Sequence, residues 1–243
     1  MSLPVRTPHV DPEIRKLQDV LDRLLANPSP RKVLEAGCGS LTHLQLDDAF
    51  VVGIDVSQKQ LTRNLKLREV ICGDIQTYDL PAEEFDVIIC WDVLEHLAQP
   101  RRAIQNLVKA AKPGGILILA LPNVLSIKGI LAKITPHRFH VWAYRRFWGV
   151  TRAGTEDLGP FRTYLRLATS PPSVKRLALK QGLKVEYFSA YESLMQRRFR
   201  INHPLLSGLF TFLELGGKLI TLGRLNVNQT DYILVLRKPG RDG

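Results

Sequence analysis

Apolar residues in this chain gather in short runs, and between the runs they fall back to helical spacing. Residues 32–35, 50–55, 69–72, 85–91 and 116–121 read as strands. Within the fourth of these, Val87-Ile88-Ile89-Cys90 is apolar without a break, as a strand covered on both faces requires. Residues 58–67 and 100–111 have helical spacing, and Pro113-Gly114-Gly115 turns the chain into the fifth strand. Upstream, Asp11-Pro12-Glu13 supplies an N-cap, a first-turn proline and an early acid, followed by Ile14, Leu17, Leu21, Leu24 and Leu25 on one helical stripe. Asn27-Pro28-Ser29-Pro30 ends that lead helix. Downstream come a helix at 172–181, a strand at 183–190 and a closing strand at 232–236. The alternation predicts an α/β fold: a doubly wound, mostly parallel, seven-stranded sheet with ligands at the strands' C-terminal ends.

The chain departs from simple alternation after Ser40 and at two long inserts. Only about ten residues separate Ser40 from Phe50, so a helix there must be very short or irregular. The chain is read as one domain, with a lead helix at 1–30, a ligand-binding half at 31–122, a lid insert at 123–170 and an apolar insert at 191–226.

Length and charge narrow the setting. A chain of 243 residues is large enough to bury a full core, and 45% hydrophobic content is ordinary for a globular protein. No apolar stretch at the start resembles a signal peptide, and Cys38, Cys72 and Cys90 show no metal spacing. They read as reduced core or near-core thiols in a cytoplasmic protein. The net charge of +11 suits nucleic acid, anionic lipid or a phosphorylated substrate, without choosing among them.

The candidate chemistry starts at Glu35-Ala36-Gly37-Cys38-Gly39-Ser40, directly after the first strand, and at Asp55, which closes the second. A glycine turn followed by a strand-end carboxylate is how α/β domains hold an adenosine: the glycines admit the ligand and the acid accepts its ribose hydroxyls. Taken with three further motifs, the chain resembles the class I S-adenosylmethionine-dependent methyltransferases, in a small-molecule or ubiquinone-biosynthesis-like branch. Val33-Leu34-Glu35-Ala36-Gly37-Cys38-Gly39 is similar to their first motif and Val52-Gly53-Ile54-Asp55-Val56-Ser57 to the second. Gly73-Asp74-Ile75, Phe85-Asp86-Val87-Ile88 with Asp92-Val93-Leu94-Glu95-His96-Leu97, and Lys112-Pro113-Gly114-Gly115-Ile116-Leu117 complete the series in order. Where the family pattern G-x-G-x-G has its third glycine, this chain has Leu41.

The resemblance implies a Rossmann-like sheet, S-adenosylmethionine as cofactor, and roles for particular residues. Gly37 and Gly39 would pass close to the methionine end, which Glu35 would also contact. Asp55 would take the ribose hydroxyls and Asp74 the adenine amine, with the Ile75 backbone nearby. Trp91 and Asp92 would line the methyl-transfer site. Asp92, Glu95 and His96 would also serve a catechol-type reaction as metal ligands, but no confirming ligand set is visible and no metal is expected.

The acceptor is read by exclusion and from the inserts. The Asn/Asp-Pro-Pro-aromatic turn of many base-amine methyltransferases is replaced by Cys90-Trp91-Asp92-Val93, so an RNA acceptor rests on charge alone and nucleic acid is not favoured. The stretch from His137 to Trp148 mixes histidines, arginines and aromatics, and Pro160-Phe161-Arg162-Thr163-Tyr164-Leu165-Arg166 repeats that chemistry. Arginine binds carboxylate or phosphate bidentately and aromatics enclose flat acceptors, which makes a lid. His137 and His140 come before His96 as candidate bases for O-methylation. In the second insert Leu205, Leu206, Leu209, Phe210, Phe212, Leu213, Leu219, Ile220 and Leu222 crowd a span whose charges are Glu214 and Lys218. Gly208, Gly216-Gly217 and Gly223 interrupt it, which argues against a membrane span. A basic-flanked interfacial helix on anionic lipid and a buried cap or dimer helix are the two readings. The function expected is O-methylation of a small-molecule hydroxyl, glycosidic, quinone-like or lipid-linked. The alternatives are an RNA methyltransferase and a non-catalytic S-adenosylmethionine-binding protein at the membrane periphery.

Overall fold

Alternation of side chains along each strand builds two apolar layers, one on each face of a single sheet. In the computed structural model, which describes residues 12–26, 31–39, 44, 46, 48–147, 149–155, 163–164, 166–223 and 226–241, seven strands run in the order β3-β2-β1-β4-β5-β7-β6. They are β1 Arg31–Ala36, β2 Ala49–Asp55, β3 Glu69–Cys72, β4 Phe85–Trp91, β5 Ala111–Pro122, β6 Lys184–Tyr191 and β7 Asp231–Arg237. The pairs β2/β3, β1/β2, β1/β4 and β4/β5 are parallel, whereas β7 is antiparallel to both β5 and β6.

Leu34, Ile88, Cys90, Leu117, Leu119, Leu234 and Leu236 point to one face. They are covered by Ala103, Ile104 and Leu107 of helix α3 (Pro100–Ala110) and by Val174 and Ala178 of α6 (Pro171–Lys180). The intervening residues Val33, Val87, Ile89, Ile116, Ile118, Ile233 and Val235 form the other face against Leu17 and Leu21 of α1 (Pro12–Leu24), with Leu44 beside them. Period two in the strands and spacings of three and four in the helices thus interlock.

Two element boundaries and the burial of one cysteine differ from the sequence reading. The helix expected over 58–67 is one turn only, α2 Gln58–Leu61. Ser57 caps it, and Asn64 then accepts the amide of Lys66 in a local turn that competes with the helix. Arg68 is already bonded to Val51 at 2.8 Å, so the chain must turn early to enter β3. At Pro113-Gly114-Gly115 the turn is absorbed into β5 as a bulge: Phe85 pairs with Ala111 and Val87 with Ile116. Cys72 is exposed on the edge strand rather than near the core, while Cys38 and Cys90 are buried, and all three thiols are free.

The lid insert folds in part into α4 (Ile127–Ile134), capped by Ser126, and α5 (His137–Phe147). The second insert forms α7 (Leu194–Asn202), capped by Ser193, and α8 (Pro204–Ile220). The glycines at 208, 216 and 217 do not interrupt α8. A mid-helix glycine costs about 1 kcal/mol relative to alanine, which a helix of this length absorbs. It stops in a Schellman turn, with Gly223 donating to the carbonyl of Lys218 at 2.7 Å and Leu222 in the left-handed conformation. The outward face of α8 is exposed, so it is not a cap buried within this chain. The expectations placed on Asp11, Ser40, Leu41, Trp148, Phe161, Arg162, Leu165 and Arg224, and on the side chains of Leu205, Leu206 and Leu209, lie outside the described residues.

Candidate active site

The C-terminal ends of β1 and β4 lie side by side, with β2 on one flank and β5 on the other; such a divergence is where open α/β sheets bind ligands. Gly37 follows β1 at φ 71° and Gly39 at φ 51°, conformations that side-chain-bearing residues adopt only with strain. The amide of Gly37 donates to Ile54 at 2.7 Å, laying the turn across the end of β2. Asp55 then fixes it: Oδ2 accepts the Gly39 amide at 2.9 Å and Oδ1 accepts the Ser57 amide at 2.8 Å. Each carboxylate oxygen keeps lone-pair capacity, which is the chemistry a ribose diol needs.

Beneath this turn lie Glu35, 1% exposed, and the buried Cys38 thiol. Burial, with Glu35 and Asp55 adding negative charge, pushes that thiol up to about 12, so it is no nucleophile. Asp74 sits in the loop after β3, drawn to β2 by the Gly73 amide bonding to Asp55 at 2.9 Å. Its two oxygens accept the Gln76 side-chain amide at 3.0 and 2.9 Å, and Gln76 in turn accepts the Gln99 amide at 2.7 Å. The carbonyl of Ile75 accepts from Asn106 at 3.0 Å, which ties this loop to α3.

At the end of β4, Trp91 packs half-buried on the α1 face of the sheet, and exposed Asp92 takes a left-handed conformation at φ 52°. Aspartate is among the residues that tolerate this region, and Asp48, Glu83 and Leu222 adopt it too. The Val93 side chain fills the space a Cβ on Gly37 would need, so the β4 loop and the glycine turn are packed directly together.

Glu95 is the feature that sequence reasoning weighed only as a metal ligand. It lies 4% exposed in the 3₁₀ turn Leu94–His96, and burial followed by the charge of Asp92 drives its pKa well above the carboxylate range. Asp231 at the start of β7 adds to this and Lys128 of α4 opposes it. His96 Nε2 lies 3.8 Å from Glu95 Oε1, and Tyr164 of the lid insert donates its amide to the Glu95 carbonyl at 2.8 Å. The signal was a single acid inside the apolar run Val93-Leu94-Glu95-His96-Leu97.

The structure therefore gathers Glu35, Gly37, Gly39, Asp55, Asp92 and His96 at one end of the sheet, with Asp74 and Ile75 on its β3 flank and Trp91 on the opposite face. The described contacts of His137 and His140 run elsewhere: their rings meet at 6.3 Å, and His140 Nε2 bonds Thr135 Oγ1 at 2.7 Å. Burial, and then His137, lower the pKa of His140. Among the described residues, no group of three or more His, Cys, Asp or Glu is placed to hold a metal ion.

A family profile described as a methyltransferase domain matches residues 10–186. The ubiquinone biosynthesis O-methyltransferase of Coxiella burnetii (strain Dugway 5J108-111) is 33% identical over 108 residues, 38% of this chain and 44% of the relative. That of Hahella chejuensis is 31% identical over 150 residues, 54% of this chain and 63% of the relative. The chain thus matches about half the length of these curated relatives. The crystal structure of an S-adenosylmethionine-dependent methyltransferase from Mesorhizobium loti shares the fold, with TM-score 0.56 at 14% identity over 94% of this chain and 99% of that one. With five motifs in order and the glycine turn tied to Asp55, the chain belongs to the class I S-adenosylmethionine-dependent methyltransferases.

Proposed function

We propose that the protein transfers a methyl group from S-adenosylmethionine to a hydroxyl of a small, largely apolar acceptor of quinone-like, glycosidic or lipid-linked type. The observation that carries the reading is the fixed Asp55 carboxylate beside the Gly37–Gly39 turn, packed through Val93 against the loop that bears Asp92, Glu95 and His96. The cofactor, when bound, supplies an electrophilic sulfonium methyl.

The residues at hand suit that use. Asp55 accepts the ribose hydroxyls on the lone pairs its backbone bonds leave unused. Asp74 accepts the adenine amine alongside Gln76, and Glu35 lies under the amino-acid end. Asp92, at the end of β4, would line the methyl-transfer site, whereas Trp91 packs on the opposite face of the sheet. His96, on the same turn as Glu95, is the ring best placed to take the acceptor's proton as oxygen attacks; His137 and His140 serve the lid. Positioning of the hydroxyl in line with the methyl supplies much of the rate. Tyr164 and Arg166, whose guanidinium lies 5.5 Å from the Tyr164 ring, form the lid edge beside Glu95 and suit a flat acceptor. The names of the curated relatives support oxygen as the methylated atom.

The test is a panel of lipophilic phenols, glycosides and RNA incubated with labelled cofactor, with products assigned by mass spectrometry. Methyl on oxygen of a phenol or glycoside supports the proposal. Methyl on RNA, or on nitrogen or carbon of every accepted compound, overturns it.

A further inference from the structure

Helix α8 is amphipathic in the wrong sense for a cap. Its one acid, Glu214, turns inward, where Asn228 donates to it and holds the helix to the domain, while Lys218 reaches it from the flank at 2.6 Å. Gly208, Thr211, Phe212, Leu215 and Leu219 follow spacings of three and four and share one outer face. On that face Phe212 is 72% exposed, Leu215 62% and Leu219 80%, and Leu222 in the terminal turn is 86% exposed. Contiguous apolar exposure of this kind marks a surface that meets another apolar phase.

The surrounding charge decides which phase. Between Glu192 and Asp231 the only acid is Glu214, already paired inward, while Arg197 and Arg198 are exposed on α7 just before α8 and Arg224 follows it in sequence. A second copy docking symmetrically would bring cation against cation, whereas an anionic surface complements the rim. At 17 residues the helix is about 25 Å long. Among the described residues no helix is long and apolar enough to cross a membrane, so the helix would lie in the interface.

Its attachment gives this surface a meaning for the site. Ser193 donates its amide to Thr230, Ile127 of α4 donates to Val227, and Pro122 and Tyr191 both pair with Asp231. Helices α4, α7 and α8 thus root at the end of the sheet that carries Asp92 and Glu95. We infer that α8 seats this end of the protein on an anionic lipid bilayer, with Phe212, Leu215, Leu219 and Leu222 in the headgroup layer and Arg197 and Arg198 against lipid phosphates.

The inference needs no methyl transfer for its test, so its failure and that of the proposed reaction are read separately. The full chain is sedimented with vesicles of phosphatidylcholine alone and of an equal mixture with phosphatidylglycerol, at low and high salt. Binding should be at least about tenfold tighter to the mixed vesicles and should weaken with salt. Phe212→Ser/Leu215→Ser/Leu219→Ser should lose at least about tenfold, and Arg197→Glu/Arg198→Glu should abolish the preference for phosphatidylglycerol. Unchanged melting temperatures confirm that these exposed changes leave the fold intact. Absence of vesicle binding, equal binding to both vesicles, or full binding by the triple variant overturns the inference. A wild-type dimer that the triple variant dissociates, without lipid binding, would assign the face to a second copy instead.

Discussion

The Gly39 amide donates to Asp55 Oδ2 at 2.9 Å, so the loop that must admit a cofactor is held by the carboxylate proposed to bind its ribose. Loop shape and ligand affinity therefore depend on one side chain.

Asp55→Ala removes both the Gly39 and Ser57 bonds and the proposed diol acceptor. A hydrogen bond to a charged group is worth about 1.5–3 kcal/mol, so S-adenosylhomocysteine should bind at least tenfold more weakly by calorimetry. Wild-type affinity in the variant would place the nucleoside elsewhere.

Gly37→Ala faces two penalties, a φ of 71° and the Val93 side chain in the space the new methyl needs. The left-handed conformation costs about 1–2 kcal/mol and the overpacking a further 1–3 kcal/mol, both read from denaturant unfolding. Val93→Ala should relieve the second penalty, so the double variant should be more stable than the two single effects predict. Simple additivity would mean the turn moves away from Val93 at little cost.

Glu95→Gln tests the buried carboxyl through pH. Its folded-state pKa is raised, so the native state holds the proton more tightly than the unfolded chain does. The stability this gives is fully present below the ordinary value of 4.5 and is lost as pH rises from there towards the folded pKa. Glutamine does not titrate, so the variant's melting temperature should gain on the wild type as pH rises from 4.5 to neutrality. A constant difference across that range would show that Glu95 is not held protonated.

Replacing the candidate bases separates them. His96→Ala should lower kcat by about 10²–10⁴-fold with S-adenosylhomocysteine affinity unchanged, whereas His140→Ala should lower it by less than about tenfold. The reverse order would move the proton transfer to the lid.

Most of the sheet was legible because both layers of the core obey a period of two, and β3 and β4 keep the bounds read from their apolar runs. The cofactor half was legible because Gly37, Gly39 and Asp55 have jobs set by local backbone geometry. Helix α2 was misread because its end depends on Arg68 reaching Val51, a contact across the sheet that no window of sequence contains. The inward turn of Glu214 towards Asn228 likewise joins residues 14 apart, so the sequence left open which face of α8 is wet. Glu95 was legible only as a possible metal ligand, because its burial and the nearby Asp231 and Lys128 come from tertiary contacts with β7 and α4, more than thirty residues downstream.

Transfer of labelled methyl from S-adenosylmethionine into a cell extract, separated into organic, aqueous small-molecule and nucleic-acid fractions, tests the central claim most directly. Asp55→Ala protein is the control. Label in the organic or small-molecule fraction, absent with the variant, is the predicted result. Label confined to RNA, or present equally with Asp55→Ala, would contradict the account.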